Sequence, residues 1–462
     1  MRRACRYSVT LTCAVAVWMG TAGHPRTLAA EAKLPDGVEA LWAGEKPFCE
    51  VWDEDMVKCS LAVAMDGTVL FFEEIRDKGC VEVKRSEDGG KAWGEPVLVG
   101  KRVKIDADMS DGGRYRGPHV GWSSLGNVAV DENTGDIMVF PTGLKGTQVL
   151  YRSKDHGKTW KTEKIVIKPD KNGWICSTMN CDHGITLRYG KKKGRLLMAT
   201  RVFVEYLNKG RGRRAYNKHY SNAIYSDDGG KTWTPSEPFP LAGTGEAGLV
   251  ELKDGRIYYN SRTHNRGGNR RIAFSHDGGD TWKDEHEDDE LFDGPPDVYG
   301  CKGALVRLPY DDRDVLVFSS PGSRKTRVDI TVWVSFDGGE TWPAKRLVKK
   351  GPGNYTWLAA GRKGTPSEGM IYLAANKDWM ARFNLAWIME NRKLTEARQT
   401  KQTIRPERKH DETYSTRGSC LGGALRRGYR DRMFHGGRMC RRGEDARAAK
   451  RFHRQCGLRF AR

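Results

Sequence analysis

Short apolar or alternating runs recur along the middle of the chain, and a polar turn follows each of them. Val81-Glu82-Val83 alternates like a half-buried strand, whereas Ile330-Thr331-Val332-Trp333-Val334 is a continuous run of strand-forming residues. Asp-Gly or Gly-Gly pairs follow these runs in the sequence, and they supply the positive φ that a tight turn between antiparallel strands requires. The pattern predicts an all-β protein built from hairpins.

The turns belong to a repeat, Ser-x-Asp-x-Gly-x-x-Trp, that occurs five times. Its copies begin at Ser86, Ser153, Ser226, Ser275 and Ser335, which are 67, 73, 49 and 60 residues apart. We expect the Ser and Asp oxygens to accept N–H groups of the turn and the Trp ring to cover the hairpin. This spacing fits a four-stranded blade with its loops, so the body of the chain is predicted to be one six-bladed β-propeller with five such hairpins.

A calcium site in these turns is the alternative to a purely structural role. Asp227-Asp228-Gly229-Gly230 is similar to part of a calcium-binding loop, but the alternating carboxylates and the closing Glu of an EF-hand are missing. We therefore interpret the repeat as structural, and we predict neither a metal nor another cofactor.

Composition and charge narrow the class of protein. The chain has 462 residues, a formal net charge of +20 and a mean hydropathy of -0.67, which excludes a multi-span membrane protein. The charge is uneven, because residues 405–462 contain 17 Lys and Arg against 6 Asp and Glu, and residues 31–404 carry a net charge of only +5. A nucleic-acid protein governed by this basic end is one alternative, but we predict no nucleic-acid partner, since the body itself is barely basic.

The two ends of the chain differ from the body, and three domains are predicted. Three arginines within the first six residues precede an apolar stretch and then Ala29-Ala30, which is typical of a secretory signal peptide over residues 1–30. The apolar stretch is too short to span a membrane, so we expect a secreted or periplasmic protein. The propeller is predicted over residues 31–392, followed by a basic, disordered C-terminal tail over residues 393–462.

The cysteines of the body permit disulfides but do not determine which pairs form. The body contains six cysteines, an even number that permits disulfides in an exported protein, and Cys176 and Cys181 are the nearest pair. Spacing does not determine the connectivity. A zinc site is disfavoured, because no second close pair of cysteines and no His-x-x-x-His motif accompanies them.

Several further segments resemble the bacterial and animal sialidases (neuraminidases), which are six-bladed propellers with Asp-box repeats. The resemblance covers about residues 45–392. It is carried by the five repeats and by these segments: Leu61–Leu70 with Glu73–Asp77, Gly245–Gly255 with Asn260-Ser261-Arg262, Arg327–Thr331, Asn354–Leu358 and Ala381–Trp387.

The resemblance implies an exo-α-sialidase that removes terminal sialic acid, or a related acidic sugar, with retention. The implied roles are Tyr355 as nucleophile, Glu246 as its base, Asp77 as acid/base for the leaving oxygen, Arg262 and Arg327 as carboxylate-binding arginines, and Arg76 as a substrate contact. Sialylated or other acidic-sugar glycans are the partners it implies. His183 is expected to be a hydrogen-bonded structural histidine.

Residue chemistry supports these assignments separately. Sialic acid carries a carboxylate on its anomeric carbon, and arginines on different blades that point at the axis are suited to hold it by charge-assisted contacts. The same carboxylate would repel an Asp or Glu nucleophile. A neutral tyrosine avoids that repulsion, but its ordinary pKa near ~10 requires a base beside it.

The sequence departs from the family's pattern at the first strand. Sialidases carry an Arg-Ile-Pro element there, whereas the corresponding segment over residues 56–61 has no arginine and offers only Lys58 as a nearby cation. Near Ala374, where the family tends to have a glutamate that braces this arginine, no acid is present either. The departure indicates a remodelled carboxylate pocket. It also leaves open a second function, that of a non-catalytic sialidase-like propeller that binds glycans or proteins.

Overall fold

Six four-stranded blades make up the described part of the chain. The computed structural model describes residues 34–54, 59–104, 123–143, 147–204, 217–265, 268–293, 300–375, 379–390 and 392. Within these ranges, twenty-five strands form six sheets in the arrangement of a β-propeller. The predicted all-β, six-bladed fold is confirmed. The predicted signal peptide and C-terminal tail lie outside the described residues.

Each of the first five blades is formed by a continuous stretch of chain, from its innermost to its outermost strand. Blade 1 contains β2 (Cys59–Val63), β3 (Val69–Ile75), β4 (Cys80–Ser86) and β5 (Val97–Lys101), and blade 2 contains β6 (Ser124–Val130), β7 (Ile137–Thr142), β8 (Val149–Ser153) and β9 (Lys161–Lys164). Blade 3 contains β11 (Ile185–Thr186), β12 (Leu196–Val202), β13 (Tyr220–Ser226) and β14 (Thr232–Pro235), with β10 (Val166–Ile167) parallel to β14. Blade 4 contains β15 (Thr244–Glu251), β16 (Ile257–Thr263), β17 (Asn269–Ser275) and β18 (Lys283–Phe292), and blade 5 contains β19 (Ala304–Arg307), β20 (Leu316–Pro321), β21 (Val328–Ser335) and β22 (Ala344–Pro352).

Blade 6 joins the two ends of the described chain. Its inner three strands are β23 (Thr356–Ala360), β24 (Met370–Ala375) and β25 (Trp379–Asn384), and its outermost strand is β1 (Cys49–Asp53). Strand β1 is antiparallel to β25, with Val51 opposite Ala381. A 3-10 helix at Val38–Trp42 precedes β1, and residues 385–390 are helical after β25.

Burial follows the position of a strand within its blade. Every residue of β15, β16, β12 and β25 is buried, because neighbouring blades cover both faces of an inner strand. The outermost strand β18 has the polar sequence KDEHEDDELF and is largely exposed. The continuous apolar runs of the sequence therefore form inner strands, and the charged runs form the rim.

The five repeats form the turns between the third and the outermost strand of blades 1 to 5. In the blade 3 copy, Ser226 Oγ accepts the N–H of Gly230 at 2.8 Å, and Asp228 Oδ1 accepts the N–H of Thr232 at 2.9 Å. The Trp233 ring is fully buried and packs edge to face against Phe140 of blade 2. The predicted structural role of the repeat is confirmed. Blade 6 has no equivalent turn in its described residues, because its outermost strand comes from the other end of the chain.

Strand direction separates two faces of the propeller. We call the face at which the innermost strands begin the upper face, and the face at which they end the lower face. Since neighbouring strands of a blade are antiparallel, second strands end and third strands begin at the upper face. The five repeat turns follow third strands and so lie on the lower face.

The described cysteines are buried or half-buried, and no disulfide joins any two of the six. Cys176 instead accepts a hydrogen bond from Asn222 Nδ2 at 3.0 Å. The pair nearest in sequence, Cys176 and Cys181, is thus not bridged. In the described ranges, no helix is both long enough and apolar enough to cross a membrane.

Candidate active site

A carboxylate and a phenol meet at the upper face, although they belong to blades 4 and 6. Glu246 lies near the start of β15, and Tyr355 directly precedes β23. Tyr355 Oη donates to Glu246 Oε1 at 2.9 Å. Glu246 is 2% exposed, while Tyr355 is only partly buried. The two residues with the central implied roles are therefore in direct contact.

Arginines surround this pair. Arg262, at the end of β16, donates from Nη1 to Tyr355 Oη at 3.0 Å and also pairs with Glu246 Oε2. Arg201, at the end of β12, places Nη1 3.1 Å from Glu246 Oε1. The guanidinium carbons of Arg262 and Arg327 lie 5.8 Å and 5.5 Å from the centre of the Tyr355 ring. Three positive charges from three blades thus converge on one tyrosine and one glutamate.

The charges shift both titratable groups of the pair. Burial by itself would raise the pKa of Glu246, but the charges of Arg262 and Arg201 hold that pKa well below its usual range. Burial and the neighbouring Glu246 carboxylate raise the pKa of Tyr355 to about 12, against the opposing effect of Arg262. At neutral pH the pair therefore consists of an ionised carboxylate that accepts a hydrogen bond from a neutral phenol.

Arg327 is held by the backbone and by a neighbour of Tyr355. Its Nη1 donates to Asn354 Oδ1 at 2.7 Å, and its Nη2 donates to the Gly300 carbonyl at 2.5 Å. Two residues later, Asp329 has a left-handed backbone with φ of 61°, where β21 is out of register with β22. Bulges of this kind re-aim nearby side chains, and here the bulge lies directly beyond Arg327.

Arg76 and Asp77 are placed differently. Both are exposed in the turn between β3 and β4, which lies on the upper face, and Arg76 Nε is 3.4 Å from Glu74 Oε1. Among the described contacts, none connects Asp77 with Glu246 or Tyr355. The roles of Asp77 and Arg76 remain predictions. Lys58, the cation expected near the first strand, lies outside the described residues.

The sequence analysis missed two residues of this cluster. They are Arg201 and Asn180, whose Nδ2 is 3.4 Å from Glu246 Oε1. A pattern that could have identified Arg201 is present, because Thr200-Arg201 and Ser261-Arg262 both end an apolar second strand with a hydroxyl residue and an arginine. Asn180 lies in an irregular segment with a φ of 58°, for which the sequence has no comparable signal.

A separate cavity lies on the axis at the lower face. It has a volume of about 330 Å³, and its lining includes Glu132, Arg188, Glu251 and Arg362. Both arginines already pair with Glu132. His183 also lines this cavity, with Nδ1 3.6 Å from Asp182 Oδ1. The cavity lining includes neither Glu246 nor Tyr355, so His183 lines a space separate from their contact.

The chain shows clear similarity to known proteins over its propeller. The sequence profile of a family described as "BNR repeat-like domain" matches residues 72–385. A sialidase of Micromonospora viridifaciens is 31% identical over 358 residues, covering 71% of this chain and 51% of that protein. A sialidase of Bacteroides fragilis is 26% identical over 349 residues, covering 68% of this chain and 58% of that protein. The chain thus spans only a little over half the length of these curated relatives.

Solved structures show the same fold. A Hadza microbial sialidase superimposes with a TM-score of 0.55 at 23% identity, covering 71% of this chain and 66% of the other. The intramolecular trans-sialidase of Ruminococcus gnavus superimposes with a TM-score of 0.52 at 16% identity, covering 72% of this chain and 95% of the other. At these identities the likeness concerns the propeller architecture.

Proposed function

Because the chain belongs to the BNR repeat-like family of the sialidase superfamily, we propose that it is a glycoside hydrolase of sialidase type. Its substrate is a glycan that ends in sialic acid or a related acidic sugar, and its mechanism is retaining. The observation that carries the proposal is the 2.9 Å contact between Tyr355 Oη and Glu246 Oε1, surrounded by Arg201, Arg262 and Arg327.

The arginines account for recognition of the substrate. A carboxylate on the anomeric carbon is well matched by planar donors, and Arg262 and Arg327 both lie beside Tyr355, whose Oη would face the anomeric carbon. The substrate carboxylate then takes over part of the charge that Arg262 directs at Glu246. The pKa of Glu246 rises as a result, and the carboxylate becomes a better base at the moment when one is needed.

The chemical steps follow from the same contacts. Tyr355 Oη attacks the anomeric carbon and passes its proton to Glu246, while the glycosidic bond breaks and Asp77 protonates the leaving oxygen. A water molecule then gives a proton to Asp77 and attacks the anomeric carbon, and Tyr355 leaves as it regains its proton from Glu246. The two successive inversions at the anomeric carbon give net retention. Sialidases with a tyrosine nucleophile are an exception to the rule that glycosidases use a pair of carboxylates.

Hydrolysis of the methylumbelliferyl glycoside of sialic acid tests the proposal. We expect Tyr355→Phe to lower kcat by about a thousandfold or more, because the phenyl ring has no nucleophile. The matched control is Tyr310→Phe, since the hydroxyl of Tyr310 in blade 5 donates to the carbonyl of Leu41 in the 3-10 helix, away from the upper-face cluster. Equal rates for Tyr355→Phe and the wild type would overturn the mechanism, and an inverted first-formed sugar, seen by proton NMR, would overturn retention.

The second candidate function is a glycan-binding propeller without turnover. It is favoured by one observation, the absence of an arginine over residues 56–61. Binding of sialylated glycans on an array, with no hydrolysis by the wild type, would establish it in place of the enzyme.

Export from the cytoplasm is also proposed, from the signal-like residues 1–30. The distribution of a full-length fusion protein between cell fractions checks the proposed export, and retention of the fusion protein in the cytoplasm would contradict it.

A further inference from the structure

A lysine is completely buried beneath the upper-face cluster. Lys302 is 0% exposed and stands just before β19, the innermost strand of blade 5. Its Nζ donates to the Thr356 carbonyl and lies 4.7 Å from the centre of the Trp357 ring. Fully buried lysines are rare unless their charge is paired. A counter-charge is therefore expected close by.

Asp182 is that counter-charge, and it is equally buried. Asp182 Oδ1 is 3.8 Å from Lys302 Nζ, and Oδ2 accepts the N–H of Leu305 at 2.7 Å. Although burial by itself would raise the pKa of Asp182, the charge of Lys302 holds it below the usual value. Gly248 makes the approach possible, because a Cβ at that position would lie 2.9 Å from Asp182 Oδ2. The pair is thus a tightly accommodated feature of the axis.

The backbone contacts of this pair lead to both members of the catalytic contact. Lys302 holds the carbonyl of Thr356, which directly follows Tyr355. The backbone N–H of Asp182 donates to the carbonyl of Ala247, which directly follows Glu246, at 2.8 Å. One ion pair therefore connects the strand that carries the phenol with the strand that carries the carboxylate.

We propose that Asp182 and Lys302 form a positioning pair that sets the distance between Tyr355 and Glu246. This inference rests on the proposed function for its kinetic consequence. Neither residue touches the substrate. The pair acts by holding β15 and β23 at a common point under the two reacting side chains, which belong to non-adjacent blades and have no strand pairing between them.

Physical chemistry favours positioning over simple stabilisation. Replacing both partners of a buried ion pair by neutral or apolar residues is often neutral for stability, whereas removing one partner leaves an uncompensated buried charge and is strongly destabilising. Stability alone therefore explains this pair poorly, and its contacts with the backbone beside Tyr355 and Glu246 favour a positioning role. Misplacement of reacting groups by about 1 Å costs about a hundredfold in rate, which is the scale at which a positioning pair acts.

The decisive variants separate folding from positioning. Lys302→Met leaves a buried charge on Asp182 and should lower the Tm, and the double variant Asp182→Asn with Lys302→Met should recover most of that loss. In the double variant we expect kcat to fall about tenfold to a hundredfold, with KM within about twofold of the wild type because Arg262 and Arg327 are unchanged. The control is Arg195→Met, which removes a buried arginine that pairs with the more exposed Asp227 and Asp280 near the repeat turns of the lower face, and which should lower the Tm without changing kcat.

A second measurement does not depend on turnover. Tyrosine labelled with ¹³C at Cζ gives a resonance for Tyr355, identified by its loss in Tyr355→Phe, that reports the hydrogen bond to Glu246. We expect this resonance to move in the double variant and to stay in place in Arg195→Met. An unchanged resonance, or a wild-type kcat in the double variant, would overturn the positioning role. If the wild type were inactive but the resonance still moved in the double variant, the result would count against the proposed function and not against the positioning role.

Discussion

Arg201 sets how acidic the candidate base is, together with Arg262. Arg201 is the last residue but one of β12, as Arg262 is of β16. Arg201 contacts Oε1 of Glu246, whereas Arg262 contacts Oε2. Two guanidiniums on one buried carboxylate account for the very low pKa of that group. In the proposed mechanism such a base is weak until a substrate draws charge away, so we expect Arg201 to influence the pH at which Glu246 accepts the proton of Tyr355.

The variant Arg201→Met tests the effect of Arg201 on the pKa of Glu246. Removing one of the two cations raises the pKa of Glu246, so the acid limb of kcat against pH, which reports this pKa in the complex with substrate, should move upward by about one pH unit. A pH–rate profile checks this, with Arg188→Met on the lower face as control. An acid limb at the wild-type position would contradict the role of Arg201.

The same pKa shift affects stability in acid. The folded pKa of Glu246 lies below its ordinary value of 4.5, so its ionised form stabilises the fold above that pH, and this contribution is lost as the pH falls through the folded pKa. With Arg201→Met the folded pKa is higher. The variant should therefore lose this contribution at a higher pH than the wild type does.

At the scale of single elements, the bulge in β21 orients the side chain of Arg327. Asp329 keeps its left-handed backbone because Oδ1 accepts the N–H of Gly351 at 2.8 Å and its carbonyl accepts the N–H of Gly322 at 2.7 Å. A non-glycine residue in this region costs about 1–3 kcal/mol unless its surroundings compensate. The bulge thus places a locally unfavourable backbone conformation next to Arg327, the arginine proposed to bind the substrate carboxylate.

Replacing Asp329 tests this element. Asp329→Asn keeps an acceptor for Gly351 and should behave like the wild type, whereas Asp329→Ala should raise KM about tenfold and lower the free energy of unfolding by about 1–2 kcal/mol. Asp284 provides the matched control, since it has a φ of 55° in the outer strand β18, and Asp284→Ala should destabilise without affecting KM. Titration of initial rates and thermal unfolding measure both effects. Equal KM values in Asp329→Ala and Asp284→Ala would contradict the aiming role.

Sequence patterns predicted those elements whose causes are local. Ser226, Gly230 and Trp233 specify their turn within eight residues, so the repeat revealed the blades directly. The contact between Glu246 and Tyr355 was reached only through the family resemblance, since 109 positions separate them. The Lys302 and Asp182 pair had no sequence signal at all, because a lysine in a loop normally lies in solvent and only the closed ring buries this one. Closeness in sequence also did not predict cysteine pairing, since Cys176 and Cys181 form no disulfide.

For the molecule as a whole, ring closure depends on β1. The strand completes blade 6 from the opposite end of the described chain, and Asn384 Nδ2 donates to the Lys46 carbonyl at 2.8 Å beside it. Blades 1 to 5 pair within themselves. Closure of the ring therefore rests on one short strand and the contacts around it.

Two truncations separate this closure from the basic C-terminal residues. Removal of residues 1–53 should lower the Tm sharply, and a peptide of residues 45–54 added in excess should partly restore it by occupying the free edge of β25. Removal of residues 405–462 should leave kcat/KM unchanged, because every described strand lies before them. Thermal unfolding and hydrolysis rates check both. Loss of function in the second truncation would favour the nucleic-acid alternative.

The closing strand also imposes an order on biosynthesis. Phe48 and Asn384, which hydrogen-bond beside β1, are 336 positions apart, so the first described strand pairs with the last described strand. At ribosomal speeds of about 5–20 residues per second, the nascent β1 waits roughly 15 to 65 s for its partner. Throughout that interval an edge with Val51 and Trp52 is available to other chains. The yield of correctly closed protein should therefore depend on chaperones that shield the beginning of the chain until translation has passed β25.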